Sequence, residues 1–326
     1  MLRRRAVAMV AFSGAVTPAG NGRRWRPRGQ RGVSPVGYVP DTMRFLRQIS
    51  VAALLPLLGC ADTAWEHRCS ETPSAGPAQP CDDDGATITY AHFESRYRDA
   101  GLNRVVLWQL PGGAPPAQGW PAVLVFQGTG HSAVNSFEAR VDDAWGGWWQ
   151  AQLSRSLLEA GYAVIAPGTR LDATWWDTNI LPWSITWQRS RDHRLMLGLF
   201  AGIEAGELGP LDLDALYATG ISSGGYMTSR MAVAYPGRFQ ALAIQSASYA
   251  SCGGALCSIP ALPADHPPTL FLHGEQDEVV PVDTMLAYHQ ALVDQGTPAE
   301  TALDPDAHHG WLPVAPEEIT GWFEGH

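Results

Sequence analysis

The sequence contains no lysine, and aspartate, glutamate and arginine together make up only 17% of its 326 residues. The arginines are unevenly placed. Residues 1–59 hold ten of the 22 arginines and one of the 32 acidic residues, which leaves 12 arginines and 31 acidic residues in 60–326, a formal charge of −19 there. A strongly acidic chain disfavours binding to nucleic acid or to an anionic membrane surface. The sequence therefore predicts neither as a partner.

Long apolar runs are also missing, since the run at 49–58 is too short for a helix that spans a bilayer. It belongs to MRFLRQISVAALLPLLGC (43–60), in which two arginines precede the apolar residues as in a secretory signal peptide. The ending Leu-Leu-Gly-Cys resembles a bacterial lipoprotein signal, which implies a signal over 43–59 and lipidation of Cys60. The alternative is an ordinary secretory signal with a coincidental cysteine. We therefore expect an extracytoplasmic protein that contacts the membrane only through a lipid anchor.

A signal peptide belongs at the start of a chain, yet 42 residues precede Met43. They are rich in arginine, glycine and proline and lack sustained periodicity. We therefore expect that translation starts at Met43 and that 1–42 is a misassigned extension. Residues 60–85, rich in proline, serine and aspartate, are predicted to form a tether, and 86–326 to form one domain.

Cysteine is scarce, and the five residues are Cys60, Cys69, Cys81, Cys252 and Cys257. Lipidation of the first leaves four, an even number that suits disulfides in an oxidising compartment. Four cysteines allow three pairings, of which the local pairs Cys69–Cys81 and Cys252–Cys257 are the simplest. There is no CxxC pair, and the two adjacent histidines near the C-terminus are not at ligand spacing. The sequence therefore predicts no metal site and no cofactor.

Apolar runs and helical periodicity alternate along residues 86–326. Strands are predicted as a hairpin in ATITYAHFESRY (86–97) and NRVVLWQLP (103–111), and then at 121–127, 162–168, 215–220, 241–248, 268–274 and 299–304. Helices are predicted at 148–160, 191–205, 225–235, 282–295 and 317–323. This alternation indicates an α/β protein with a mostly parallel sheet that is covered by helices on both faces.

The pentapeptide GISSG (220–224) matches the G-x-S-x-G pattern of a nucleophilic serine, follows a predicted strand and opens a predicted helix. The turn between them is too sharp for side chains at the flanking positions, and it holds the middle residue in a strained conformation with its hydroxyl exposed. This frame predicts Ser222 as the nucleophile and the backbone N–H of Ser223 as one donor of an oxyanion hole. The alternative is a Gly-Ser turn without chemistry.

A nucleophilic serine needs a base, and in this arrangement an acid and then a histidine follow the serine along the chain. Asp277 lies in the loop after the strand predicted at 268–274, within the hydrolase pattern HGxxDxxVP. Its neighbours Glu275 and Glu278 are interpreted as solvated loop charges. We therefore predict Asp277 as the acid that orients the histidine.

The histidine is expected in the loop after the last strand, where DPDAHHGWLP (304–313) offers two. The catalytic histidine of similar enzymes commonly precedes an aromatic residue by two positions, which favours His309 over His308. His309 is predicted to take the proton of Ser222 and return it to the leaving alkoxide.

The second oxyanion donor should come from the loop after the strand at 121–127. There the HGGG-type motif of related hydrolases is replaced by QGTG (127–130). Its glycines still permit a close backbone approach, so we predict a donor N–H on Gly128 or Thr129.

Seven of the 13 tryptophans lie between residues 145 and 187. The segment TWWDTNILPWSITW (174–187) is too aromatic for a solvated loop and has no predicted helix, so we interpret it as an apolar wall of an acyl pocket. This wall favours a hydrophobic ester over a peptide or a sugar. The predicted substrate-binding side chains are Trp175, Trp176, Trp183, Trp187 and Trp311.

The stretch GISSGGYMTSRMAVAYPGRFQALAIQSASY (220–249) resembles the nucleophile segment of extracellular polyhydroxyalkanoate depolymerases and related polyester or feruloyl-type esterases. Its Ile-Ser-Ser-Gly form is most similar to the enzymes that act on medium-chain-length polyesters. The likeness covers most of 88–324. It implies an α/β-hydrolase fold and a monomeric, secreted or lipid-anchored serine esterase that cleaves polyester through an acyl-enzyme on Ser222.

Three alternatives stay open at this point. A serine peptidase on the same fold is disfavoured, because no acidic pair that would bind an amino terminus can be placed in the sequence. A feruloyl or acetyl esterase acting on plant cell walls would also use stacking tryptophans, so the sequence separates it poorly from a polyester hydrolase. A surface-anchored binding protein with a degenerate hydrolase fold is disfavoured by the complete Ser, Asp, His order.

Overall fold

Strands and helices alternate around a large central sheet, as the sequence predicts. The computed structural model describes residues 65–67, 82–170, 172–252 and 257–326, which all belong to one structural unit. Their strands are β1 (Trp65–His67), β2 (Asp82–Asp83), β3 (Thr87–Thr89), β4 (Phe93–Asp99), β5 (Leu102–Gln109), β6 (Trp120–Phe126), β7 (Glu138–Arg140), β8 (Ala163–Pro167), β9 (Leu211–Ile221), β10 (Ala241–Gln245), β11 (Thr269–Gly274) and β12 (Ala299–Asp304).

The helices follow the predicted positions within a few residues. They are α1 (Gly147–Glu159), α2 (Arg191–Glu204), α3 (Ser223–Ala234), α4 (Val282–Gln295) and α5 (Ala315–Glu324). Short 3-10 helices cover Ala133–Ser136, Ala144–Gly146 and Trp187–Arg189. No helix among the described residues has both the length and the apolar character that crossing a bilayer requires.

The main sheet of the described residues has nine strands in the order β1-β4-β5-β8-β6-β9-β10-β11-β12. The six strands from β8 to β12 in this order are parallel, and β1, β4 and β5 form an antiparallel edge. The carboxyl ends of β6, β9, β10 and β11 therefore meet at one edge of the sheet. The loops with the predicted catalytic residues leave from this edge, where ligands bind in open α/β sheets. The α/β-hydrolase prediction is confirmed.

Helices cover both faces because apolar side chains of the strands alternate in direction. In β6, Leu124 and Phe126 join residues of α2 and α3 in one buried cluster, whereas Val123 and Val125 join residues of α1 and α5 in another. Helix α4 packs against Phe271 of β11 in a third cluster. Burial of each such side chain contributes about 1.5–3 kcal/mol. A register slip of one residue would exchange the two faces, so the pattern specifies the register.

The structure differs from the predicted tether at 65–67 and 82–83, which are strands. Residues 65–67 extend the main sheet as β1, and the Trp65 ring packs 5.2 Å from the Tyr97 ring. A Cβ added at Gly202 in α2 would lie 2.6 Å from the Trp65 indole, so this ring fills the space that the glycine leaves. Because the surrounding sequence is rich in proline, the sequence did not identify Trp65 as a residue that packs against the domain. Residues 60–64 and 68–81 of the tether, the signal at 43–59 and the extension at 1–42 lie outside the described residues, and so does Cys60.

The local disulfide prediction is confirmed for one pair, since Cys252 and Cys257 are bonded. The other predicted pair, Cys69 and Cys81, lies outside the described residues. The bonded pair lies beyond the carboxyl end of β10, and the side-chain amide of Asn179 donates to the Cys252 carbonyl oxygen at 3.2 Å. The disulfide is therefore joined to the tryptophan-rich segment 174–187.

Candidate active site

Ser222 occupies the sharp turn between β9 and α3. Its backbone has φ 54° and ψ −122°, a conformation that non-glycine residues rarely adopt. The turn is held in place by the Ser222 N–H, which donates to the Gln245 carbonyl oxygen at 3.0 Å. Strain of this kind concentrates at functional sites, where the surrounding structure maintains it. The strand, turn and helix context that the motif requires is therefore present.

The glycines of the motif allow α3 to start directly against β6. A Cβ added at Gly220 would lie 2.6 Å from the Phe126 carbonyl oxygen, and one added at Gly224 would lie 2.0 Å from that same oxygen. Both distances are below any normal contact, so a larger residue at either position would push the helix away from the sheet. The motif thus places Ser222 at the carboxyl edge of the sheet.

The predicted oxyanion donors lie around Ser222. A Cβ added at Gly128 would lie 3.7 Å from the Ser222 Cβ, so this backbone approaches the serine closely because it lacks a side chain. The Ser223 hydroxyl accepts a hydrogen bond from the Trp176 N–H at 2.8 Å and is engaged with segment 174–187. The role predicted for Ser223 in the oxyanion hole belongs to its backbone N–H. This role and the donor role predicted for Gly128 or Thr129 stay predictions.

The structure brings His309 and Asp277 together from two different loops. The His309 Nδ1 lies 2.7 Å from the Asp277 Oδ2. Because a carboxylate only accepts, Nδ1 carries the proton and donates, which leaves Nε2 as the basic nitrogen of the ring. The competing candidate, His308, lies elsewhere. It is exposed, and its Nδ1 donates to the Gln276 carbonyl oxygen at 3.1 Å.

Asp277 is buried and receives donors on both oxygens. Its Oδ1 accepts from the backbone N–H of Val279 at 2.8 Å and of Val280 at 2.7 Å. Its Oδ2 lies 3.2 Å from the Nε2 of His273, whose side chain is fully buried. Burial alone would raise the pKa of Asp277, but hydrogen bonds from His273, His309 and the Val280 N–H outweigh it and hold the pKa well below its usual range. The carboxylate is therefore ionised at neutral pH.

A cavity of about 400 Å³ lies over these loops. Its lining is Gly128, Thr129, His131, Trp145, Ile221, Ser222, Val279 and His309. Ser222 and His309 thus face one cavity, while Asp277 supports the histidine from its buried side. No aspartate, glutamate or arginine is among the described residues that line the cavity.

The predicted tryptophan wall is wrong for Trp176, Trp187 and Trp311, because all three indoles are buried in the core. Each indole N–H already has an acceptor there: the Gln127 carbonyl oxygen, the Tyr235 hydroxyl and the Gln150 Oε1, respectively. A ring that is both buried and hydrogen-bonded contributes to stability and is closed to substrate.

Trp175 and Trp183 are partly exposed and lie outside the cavity lining, so their substrate role stays a prediction.

The sequence interpretation missed Trp145 as a cavity residue. Its backbone has φ 56°, and its ring packs edge-on against the His309 ring with the centroids 5.5 Å apart. The Trp145 carbonyl oxygen accepts from the backbone N–H of Trp311 at 2.9 Å, which connects this turn to the loop that carries His309. A signal was present in the sequence, because two glycines follow Trp145 directly before a helix and indicate a tight turn.

Comparison with known proteins identifies the family. The chain is 43% identical over 264 residues to the poly(3-hydroxyoctanoate) depolymerase of Pseudomonas fluorescens, and the alignment covers 79% of this chain and 91% of that protein. The chain belongs to the polyhydroxyalkanoate depolymerase family. As a member of this family it is a serine hydrolase of carboxylic esters, which agrees with the resemblance stated from the sequence.

Comparisons with further proteins support the fold of this chain. The Prolyl oligopeptidase family model matches residues 257–319, which include Asp277 and His309. A solved thermostable esterase matches with a TM-score of 0.55 at 19% identity, over 72% of this chain and 62% of the esterase. A sugar hydrolase from Lactococcus lactis matches with a TM-score of 0.50 at 16% identity, over 71% of this chain and 97% of that one. At such identities these structures show the α/β-hydrolase fold alone.

Proposed function

We propose that this protein hydrolyses 3-hydroxyalkanoate polyester through an acyl-enzyme on Ser222. The observation that carries the proposal is the arrangement in which Ser222 and His309 line one cavity while His309 donates to the buried, ionised Asp277. The choice of substrate is supported by the family relative, which acts on poly(3-hydroxyoctanoate). It is also supported by a cavity whose lining includes Trp145, Ile221 and Val279 but no fixed charge among the described residues.

In the proposed mechanism, the Ser222 Oγ attacks the ester carbonyl carbon while its proton passes to the His309 Nε2. Backbone N–H groups of Ser223 and of Gly128 or Thr129 stabilise the negative oxygen that forms. The carbon–oxygen bond to the leaving alcohol then breaks, and His309 returns the proton to that oxygen. Water repeats the sequence on the acyl-enzyme, which releases the acid and restores Ser222. Asp277 stabilises the imidazolium in both halves.

Replacement of Ser222 by alanine tests this mechanism. We expect kcat to fall by about 10⁴-fold or more on p-nitrophenyl octanoate and on poly(3-hydroxyoctanoate) film, because the attacking group is lost. A matched control is Ser248→Ala, a buried serine outside the cavity lining whose hydroxyl donates to the Thr284 carbonyl oxygen. Retention of activity in Ser222→Ala would refute the assignment. Wild-type hydrolysis of a feruloyl ester but not of film would move the substrate to cell-wall esters.

We also propose that the protein is exported and anchored through a lipid on Cys60. The Cys252–Cys257 disulfide supports an oxidising compartment. Metabolic labelling with palmitate, compared between wild type and Cys60→Ser, tests the anchor: label should be lost in the variant. Equal labelling of the two proteins would contradict the proposal.

A further inference from the structure

The segment 174–187 keeps several large apolar side chains in water while its tryptophans at 176 and 187 are buried. Ile180, Leu181 and Ile185 are 38%, 70% and 76% exposed. Exposed apolar clusters of this kind mark interaction surfaces. We propose that these three side chains, called the apolar patch below, adsorb the enzyme to the surface of solid polyester. This inference rests on the function proposed above and extends it to a binding surface outside the catalytic cavity.

The three side chains belong to one compact turn. The Ser184 N–H donates to the Ile180 carbonyl oxygen at 2.9 Å, and the Ile185 N–H donates to the Pro182 carbonyl oxygen at 3.2 Å. These bonds fold the chain back on itself within six residues, so Ile185 returns toward Ile180 and Leu181. The apolar patch is therefore a local cluster.

The turn is supported from below by a buried cation. Arg230 of α3 donates from its Nε to the Thr178 hydroxyl at 3.1 Å and from one terminal nitrogen to the carbonyl oxygens of Thr178 at 2.9 Å and Ser184 at 3.2 Å. The guanidinium also lies 5.3 Å from the centre of the Trp187 ring. The hydrogen bonds of Arg230 therefore hold the backbone of this turn in place, and the exposure of the three side chains is a property of the folded structure.

The segment also adjoins the nucleophile. The Trp176 N–H donates to the hydroxyl of Ser223, the residue directly after Ser222. Helix α3, which begins at Ser223, carries Arg230 on its second turn and so connects the apolar patch to the catalytic turn. Segment 174–187 is therefore joined to the catalytic turn both by the Trp176 hydrogen bond and by the Arg230 contacts of α3.

The charge pattern selects the kind of partner. The one charged residue in 175–187 is Asp177, and it is buried. The apolar patch is therefore uncharged, although residues 60–326 carry a formal charge of −19. The acidic chain repels nucleic acid and anionic membranes, and the apolar patch offers a cationic protein no ion pair. A neutral solid with alkyl side chains, such as the proposed polyester, fits both properties.

The test is the double variant Leu181→Ser/Ile185→Ser of the full chain. We expect about tenfold or greater losses of binding to poly(3-hydroxyoctanoate) film and of film hydrolysis, because two exposed apolar contacts are removed. Hydrolysis of soluble p-nitrophenyl octanoate, which needs no adsorption, should stay within about twofold. The matched control is Leu197→Ser/Leu213→Ser, since these leucines are 50% and 46% exposed on α2 and β9. Both film measurements should be unchanged in the control.

Each other outcome is informative. Film binding equal to wild type in the double variant would overturn the proposal, as would an equal loss in the control, because general surface hydrophobicity would then explain it. A variant that elutes as a monomer from a dimeric wild type, with film binding kept, would identify an interface between two copies and also overturn it. If wild type hydrolyses the soluble ester but not the film, the polyester function itself fails. If wild type degrades the film and the variant matches it, only the apolar patch fails.

Discussion

Two loops at the carboxyl edge of the sheet each make several hydrogen bonds with a buried charged side chain, Asp277 in one and Arg230 in the other, and the two charges have different roles. Asp277 receives its hydrogen bonds from His309, His273 and two backbone N–H groups, and together they keep its pKa low. Among the described residues, Arg230 donates to neutral oxygens of segment 174–187 and Ala250. Burial lowers the pKa of Arg230, and nearby tyrosines offset this in part.

The difference indicates how to separate a chemical role from a structural one. Asp277 faces His309, a group whose protonation changes during catalysis, so its charge stabilises one state of the reaction more than another. Arg230 faces carbonyl and hydroxyl oxygens whose charge does not change, so its charge stabilises the fold equally before and after reaction. We therefore expect substitutions at Asp277 to act on kcat and substitutions at Arg230 to act on stability.

Of the substitutions in these two loops, Asp277→Asn is expected to have the largest effect on kcat. The amide cannot stabilise the imidazolium and favours the wrong tautomer of His309, so kcat should fall by about 10³–10⁴-fold. Steady-state kinetics on a soluble ester measure this. A fall of less than about tenfold in a folded variant would contradict the assignment of the acid.

The same variant has a signature in its stability. The pKa of Asp277 is lowered on folding, so the carboxylate stabilises the protein fully above its unfolded pKa of about 4 and loses this contribution as the pH falls toward the folded value. The difference in free energy of unfolding between wild type and Asp277→Asn should therefore shrink below about pH 4. A constant difference would contradict the low pKa.

A smaller effect is expected for Arg230→Met. Loss of the guanidinium removes the donor to the buried Thr178 carbonyl oxygen and one of the two donors to the Ala250 carbonyl oxygen, which keeps the Thr178 hydroxyl. We expect the free energy of unfolding to fall by about 2–4 kcal/mol. Denaturant titration measures this change. The kcat on a soluble ester should stay within about threefold of wild type at a temperature where the variant is folded. A loss of several powers of ten in kcat from folded protein would end the distinction drawn between the two charges.

The two loops were also unequally predictable from sequence. Ser222, Asp277 and His309 follow strand ends in a required order, and strand ends are signalled by short apolar runs and by glycines that the turn geometry demands. Segment 174–187 carries no such constraint. Its aromatic content shows that some rings must be buried, but Trp176 and Trp187 face the core only because Phe126, Tyr235 and other distant residues supply contacts there. Burial of this kind depends on the assembled fold.

His273 contacts Asp277 but does not line the cavity, so we expect it to influence catalysis through Asp277. Its Nε2 lies 3.2 Å from the Asp277 Oδ2 and 2.9 Å from the Val280 carbonyl oxygen, and both are acceptors. Nε2 must therefore carry a proton, while the buried Nδ1 has no partner in the described structure. An unpartnered buried nitrogen is a cost, which indicates that the donor on the other nitrogen is needed.

We predict that His273→Leu lowers kcat by about tenfold with KM unchanged, because Asp277 loses one donor and is oriented less well toward His309. His273→Gln, whose amide nitrogen is the same number of bonds from Cβ as Nε2, should restore most of the kcat. The matched control is His266→Leu. This histidine is also buried, but its Nε2 is hydrogen-bonded to the Tyr288 hydroxyl, outside the cavity lining. It should lower stability without changing kcat. Equal kcat values in the leucine and glutamine variants at position 273 would show that His273 acts through packing alone.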